Sequence, residues 1–129
     1  MKKTLILVLL AALLLAGCAK QTENTQEAAL MNITAEEAKK LMDSESGYVI
    51  LDVRTEQEYA EGHIPGAILI PDYEISEKAE SVLTDKDQLI LVYCRSGRRS
   101  KNAAAQLEEM GYTRIREFGG ILDWPYETE

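Results

Sequence analysis

Three observations predict an α/β fold built on an open, mostly parallel sheet. Beyond residue 30, apolar runs of strand length alternate with helix-forming stretches. The run Tyr48-Val49-Ile50-Leu51-Asp52-Val53 is apolar on both faces, as a strand covered by helices on either side must be. A second apolar run, Leu89-Ile90-Leu91-Val92-Tyr93, ends in Cys94, and a short glycine-containing loop then leads into a helix-forming stretch from Ser100 to Met110. Strand, loop, helix is the grammar of open sheets that bind ligands outside the carboxyl ends of their strands.

The chain begins with an export signal. Lys2 and Lys3 form a basic start, residues 5–15 are an unbroken apolar block, and small residues precede Cys18. The block is too short for a comfortable spanning helix. Leu15-Ala16-Gly17-Cys18 resembles the bacterial lipobox, whose cysteine becomes the diacylglyceryl-modified, palmitate-bearing first residue of a lipoprotein. Residues 1–17 are therefore expected to be a lipoprotein signal peptide. Residues 18–30 would be a lipid-anchored flexible tether, because they show no apolar period. Residues 31–129 would form one domain held outside the cytoplasm at a bacterial membrane. An ordinary cleaved leader with a chance cysteine is the alternative.

Cleavage ahead of Cys18 removes Lys2 and Lys3 and takes the formal charge from −8 to −10 over 112 residues. That acidity argues against nucleic acid and against a polybasic membrane patch. Only Cys18 and Cys94 are present. Lipidation of the first rules out an internal disulfide and leaves Cys94 as a lone thiol in an oxidising compartment.

The elements follow in order. Leu30-Met31-Asn32-Ile33 reads as a short first strand. Thr34 and Glu37 have capping-box spacing, and Ala38, Leu41 and Met42 supply a helical stripe that ends by Ser46-Gly47. The strand at residues 48–53 comes next, then a short helix announced by Thr55 and Glu58 at the same capping spacing. Turn residues Gly62-His63-Ile64-Pro65-Gly66 lead to a strand at 68–70. A helix over 74–83 is expected to turn Ile75, Ala79, Val82 and Leu83 inward. The central strand occupies 88–93. After the loop and its helix, Gly111 stands where a C′ glycine belongs. A last strand over 113–118, the Gly119-Gly120 passage and a terminal turn at 121–124 complete the domain.

The stretch from Cys94 to Ser100 carries the chemistry. Loop N–H groups and the positive end of the following helix would face Cys94, and both favour thiolate, the reactive form of sulfur. A cysteine at a strand end is often only a small buried hydrophobe. Here Gly97 permits a tight loop, and Arg95, Arg98 and Arg99 crowd the thiol. A core does not want three guanidinium groups, whereas anionic sulfur or phosphorus substrates do. The sequence therefore proposes a low-pKa nucleophile in a nest that also binds an anion.

Four segments in this order resemble the rhodanese family of sulfurtransferases in its single-domain form: Leu51-Asp52-Val53-Arg54, Gly62-His63-Ile64-Pro65-Gly66-Ala67, the loop from Cys94 to Arg99, and Gly119-Gly120-Ile121 with Trp124. The resemblance implies a rhodanese-like α/β fold, a five-stranded mostly parallel sheet flanked by helices on both faces. It also implies a Cys94 that accepts sulfane sulfur as a persulfide and passes it on. Rhodanese-type loops run Cys-x4-Arg, which Cys94 and Arg99 fit. Related phosphatases and arsenate reductases of the Cdc25 kind run Cys-x5-Arg, and that position here is Ser100. The smaller cradle suits one added sulfur atom better than a tetrahedral phosphate.

On this basis Cys94 is the expected catalytic residue, and Arg95, Ser96, Gly97, Arg98 and Arg99 form the anion-binding loop. The loop amides from Arg95 to Arg99 are expected to cradle the persulfide. Arg99 matches the family's closing arginine and is expected to point inward and hold loop carbonyls or loop shape, while Arg95 and Arg98 contact the donor. Ser96 and Ser100 would cap the helix or hydrogen-bond the sulfur. Asp52, Arg54, Glu58 and His63 are expected to be structural supports, with Arg54 paired to Glu58 and the His63 ring bonded to backbone. Trp124 and Tyr93 are read as packing residues. The donor would be a small anion such as thiosulfate, a polysulfide or a low-molecular-weight persulfide, and the acceptor cyanide or a thiol, including a thiol on a protein. The scheme needs no cofactor and no metal. A persulfide carrier for a protein partner is the competing function, and a phosphatase or arsenate reductase is a further one.

Overall fold

The computed structural model describes residues 26–129. The predicted leader, Cys18 and the first part of the tether lie outside the described residues. The elements are β1 (Leu30–Asn32), α1 (Ala35–Ser44), β2 (Val49–Asp52), α2 (Glu56–Glu61), β3 (Ile68–Leu69), α3 (Ile75–Val82), β4 (Ile90–Cys94), α4 (Arg98–Glu109) and β5 (Ile115–Gly120). Single 3-10 turns occupy Asp72–Glu74 and Ile121–Asp123. All five strands pair in parallel, in the order β1-β5-β4-β2-β3.

The two-residue period of a strand divides the core. On β4, Ile90, Val92 and Cys94 face a cluster that includes Leu51, Val53, Ala103, Ala104 and Leu107. Leu91 and Tyr93 face the opposite cluster with Ala38, Ile64, Phe118 and Trp124. Helices α3 and α4 cover the first face, and α1 covers the second. All of β4 is buried, and each large aliphatic side chain held there contributes about 1.5–3 kcal/mol. The same alternation points Cys94 toward α4 and Tyr93 away from it.

Local chemistry sets the helix starts. The Thr34 side chain accepts from Glu37 N–H and the Glu37 carboxylate accepts from Thr34 N–H, at 3.1 and 2.8 Å. Thr55 and Glu58 repeat the arrangement at α2. Such caps are worth about 1 kcal/mol each.

Several boundaries differ from expectation. Leu30 pairs with Ile115 in the sheet, so the domain begins before residue 31. The residues just ahead of it are also held: buried Arg116 donates to the carbonyls of Ala28 and Ala29 and pairs with Glu27 at 3.1 Å. Val82 is 50 % exposed. The inward stripe of α3 is Ile75, Ala79 and Leu83, spaced by four, and α3 ends as Leu83 N–H bonds the Ala79 carbonyl. β4 includes Cys94, and β5 runs on through both glycines to Gly120. Helix α4 starts at Arg98 rather than Ser100, because Gly97 at φ 107° turns the chain within three residues of Cys94.

Candidate active site

Cys94 ends the central strand, and α4 begins directly above it. Gly97 N–H donates to Cys94 Sγ at 3.0 Å, and Ser100 Oγ lies 3.3 Å from the sulfur. Burial pushes the Cys94 thiol up. The Ser100 hydroxyl and the amides of Ser100, Gly97 and Ser96 outweigh it, so the thiol lies below its ordinary value. Gly97 N–H is the loop amide that hydrogen-bonds the sulfur, and the amides of Ser96 and Ser100 add to the field that favours thiolate. Cys94 itself is 1 % exposed.

The loop is held from outside by close backbone packing. A Cβ on Gly120 would stand 2.0 Å from the Arg95 carbonyl oxygen, so only glycine lets β5 pass beneath the loop. The same carbonyl accepts Leu122 N–H at 3.2 Å. Arg95 and Arg98 are exposed. Arg95 borders a cleft of about 330 Å³ together with Arg54, Glu58, Gly62 and Leu122.

Beside the loop lies a buried polar network. Arg54 Nη2 and Nε grip both oxygens of Asp52, at 2.7 and 3.0 Å, and Nη2 also donates to the Gly62 carbonyl. The Tyr93 hydroxyl donates to Asp52 Oδ2 at 2.7 Å and accepts Ile64 N–H at 3.1 Å. Burial, then the neighbouring Asp52 carboxylate, push the Tyr93 hydroxyl pKa up, so it acts as a neutral donor. This network joins the ends of β2 and β4 to the turn at residues 62–64.

Residues 34–126 match the family profile described as Rhodanese-like domain. The chain belongs to the rhodanese family. This rhodanese domain is similar to thiosulfate sulfurtransferase PspE of Escherichia coli strain K12, at 41 % identity over 73 residues, covering 57 % of this chain and 70 % of that one. It is also similar to the putative sulfurtransferase YtwF of Bacillus subtilis strain 168, at 35 % over 100 residues, covering 78 % and 95 %. Among solved structures, a rhodanese with anions from E. coli superposes with a TM-score of 0.60 at 36 % identity, covering 64 % of this chain and 96 % of that one. The expected α/β architecture, a five-stranded parallel sheet with helices on both faces, is the one found.

Other predicted residues of the rhodanese domain have partners that the sequence did not specify. Arg54 pairs with Asp52, not Glu58, because both ends of that salt bridge are buried on one strand terminus. Glu58 instead receives the fork of Arg99, at 2.6 and 2.9 Å. Arg99 therefore ties α4 to α2 through a carboxylate; the expected loop carbonyls are not its partners. His63 Nδ1 lies 3.0 Å from the Tyr59 carbonyl, its ring stacks on Tyr59, and Nε2 faces Glu129 at 3.3 Å. Both ring nitrogens are occupied away from the sulfur.

Tyr93 exceeds the packing role expected of it, since its hydroxyl bridges two elements. No sequence motif marks Glu117. It is 2 % exposed, and its Oε1 accepts the Ser100 hydroxyl at 2.6 Å. A charged pair, Arg116-Glu117, between Ile115 and Phe118 in a short strand was the available signal, but it reads equally as a solvated edge.

Proposed function

We propose that this rhodanese is a sulfurtransferase, lipid-anchored through Cys18 outside the cytoplasm, that moves sulfane sulfur from a small anionic donor to a thiol or cyanide. The observation that carries the proposal is the short cradle around Cys94: an amide donor 3.0 Å from the sulfur, a hydroxyl at 3.3 Å and a thiol held below its ordinary pKa. A thiolate attacks the outer sulfur of thiosulfate. The new Sγ–S bond forms as the bond to the sulfonate breaks, and sulfite departs with the electron pair. Arg95 and Arg98, exposed at the rim, stabilise the anionic donor and the leaving group. A cyanide or thiolate acceptor then attacks the outer sulfur, and the electron pair of the broken Sγ–S bond returns to Cys94. Such a covalent relay gives ping-pong kinetics.

Because Cys94 is 1 % exposed, loading requires the Arg95-Ser96 side of the loop to yield by about the width of one sulfur atom. The same burial favours a second reading, a persulfide carrier that discharges only to a docked protein. Steady turnover with thiosulfate and cyanide supports the enzyme, whereas one loading followed by arrest supports the carrier. Intact mass after thiosulfate treatment is expected to show one added sulfur, absent in Cys94→Ser. Transfer in that variant should fall by at least about 10³-fold. A Cys94→Ser protein with full transfer would refute both readings.

A further inference from the structure

Glu117 is the buried titratable group that the sulfur-transfer scheme leaves unused. Among the described residues, no lysine or arginine forms an ion pair with it. Its Oε1 accepts only neutral donors, the Ser100 hydroxyl at 2.6 Å and Gly119 N–H at 2.8 Å. Ser100 is itself fully buried. Its hydroxyl has one hydrogen and four acceptors in reach: Glu117 Oε1, Cys94 Sγ at 3.3 Å, and the carbonyls of Gly97 at 3.0 Å and Gly119 at 3.3 Å. The carboxylate is the nearest acceptor and the one that bears charge, so it takes the hydrogen. While Cys94 is a thiol, a lone pair of Ser100 accepts from it; once the sulfur ionises, thiolate and carboxylate compete for the one hydrogen, so Glu117 draws on the same hydroxyl that favours the thiolate.

We propose that Glu117 is a positioning residue that sets the direction of the Ser100 hydrogen and, through Ser100, carries the Cys94 thiol proton between the buried sulfur and an outer cleft. The transfer balances. The Sγ–H bond breaks as a new O–H bond forms on Ser100, and the former Ser100 hydrogen passes to Glu117 Oε1. The electron pair stays on sulfur, and the carboxylate is neutralised. Glu117 lines a cleft of about 530 Å³ with Asn32, Thr34, Lys101 and Asp123, where water accepts the proton. In the second half-reaction the same path runs backward and protonates Cys94 as its outer sulfur is drawn off. The 1 % exposure of Cys94 leaves little sulfur surface for direct exchange with bulk water.

Few charged groups face this pair. Glu36 on α1, Lys101 on α4 and Asp123 in the terminal turn border the cleft. β1 brings the neutral Asn32 opposite Glu117, and β4 brings Cys94 itself. When Glu117 and Cys94 are both ionised they repel, and only one of them can hold the Ser100 hydrogen.

The inference deepens the sulfur-transfer proposal and rests on it, yet it is tested without donor or acceptor. Thiolate absorbance of the full chain is followed against pH, with the Cys94→Ser protein as blank. Glu117→Gln removes the opposing charge and is expected to lower the pH midpoint of Cys94 ionisation by about one unit, tenfold in proton concentration. A profile that superimposes on the wild type, or moves upward, overturns the proposal. Should Glu117→Gln fail to fold, Glu117→Asp serves: one methylene shorter, it keeps the charge but releases Ser100, and a smaller downward shift is expected. An unmoved midpoint there overturns the proposal too. Absence of sulfur transfer alongside a Cys94 midpoint that moves as expected would instead sink the functional proposal alone.

Discussion

Two buried carboxylates flank the central strand, and they are held in opposite ways. Asp52 ends β2 and Glu117 lies in the middle of β5. Asp52 is opposite Tyr93 and Glu117 is opposite Val92, so the strand alternation puts them on different faces of the sheet. Asp52, fully buried, is neutralised by the two-pronged grip of Arg54 and bonded by the Tyr93 hydroxyl. Glu117, 2 % exposed, has a hydroxyl and an amide and, among the described residues, no ion-paired cation. The first arrangement locks a corner of the scaffold. The second leaves a carboxylate joined to the nucleophile by a single hydroxyl, which lies 2.6 Å from Glu117 Oε1 and 3.3 Å from Cys94 Sγ.

The largest expected effect comes from breaking the locked side. Asp52→Ala strands the Arg54 guanidinium, which is 5 % exposed, without a counter-charge, and it should cost about 3–5 kcal/mol. Glu117→Ala abandons only neutral donors and should cost about 1–3 kcal/mol. Denaturant unfolding of the two variants side by side measures the difference. If Glu117→Ala proves as damaging as Asp52→Ala, the two acids are alike and the contrast fails.

Next in size is the backbone beneath the loop. Gly120→Ala sets a methyl group 2.0 Å from the Arg95 carbonyl oxygen and 2.3 Å from its carbon, both backbone atoms that must move. About 1–3 kcal/mol of stability should be lost. The displaced loop should also carry Gly97 N–H away from the sulfur and raise the Cys94 pKa. Thiolate absorbance together with thermal unfolding reads both effects. A stable Gly120→Ala protein with an unshifted thiol would show that the cradle does not depend on this contact.

The frame was legible in the sequence, and the reasons are local. Thr34 with Glu37, and Thr55 with Glu58, announced two helices because a capping box is made from residues three apart. The buried runs at β2 and β4 announced parallel strands because both their faces are covered. Cys94 and its loop were legible because strand, glycine turn and helix follow one another in the chain. Partners across the sheet were not. Arg54 stands four residues before Glu58 and two after Asp52, and spacing alone favoured the wrong acid. Glu58 meets Arg99 across 41 positions, Tyr93 meets Asp52 across 41, and Ser100 meets Glu117 across 17. Such pairs are created by strand order, which no local period encodes.

The smallest effect belongs to a carboxylate between the two extremes. Glu58 is paired like Asp52, yet 24 % of its side chain remains exposed, against 29 % for Arg99. The Arg99 guanidinium, acting against partial burial and helped by Thr55, holds the Glu58 carboxyl at about 2. Its folded value thus lies below its ordinary value of 4.5. The stabilisation is complete above the ordinary value and is lost as the pH falls toward about 2. Glu58→Gln should therefore cost less than about 1 kcal/mol at neutral pH, because water screens the pair. It should also flatten the loss of stability between pH 4.5 and about 2. Urea unfolding at a series of acidic pH values measures that slope. A Glu58→Gln protein as damaged at neutral pH as Asp52→Ala would mean that solvent access does not set the worth of these pairs, and burial would lose its place as the variable that separates the acids around Cys94.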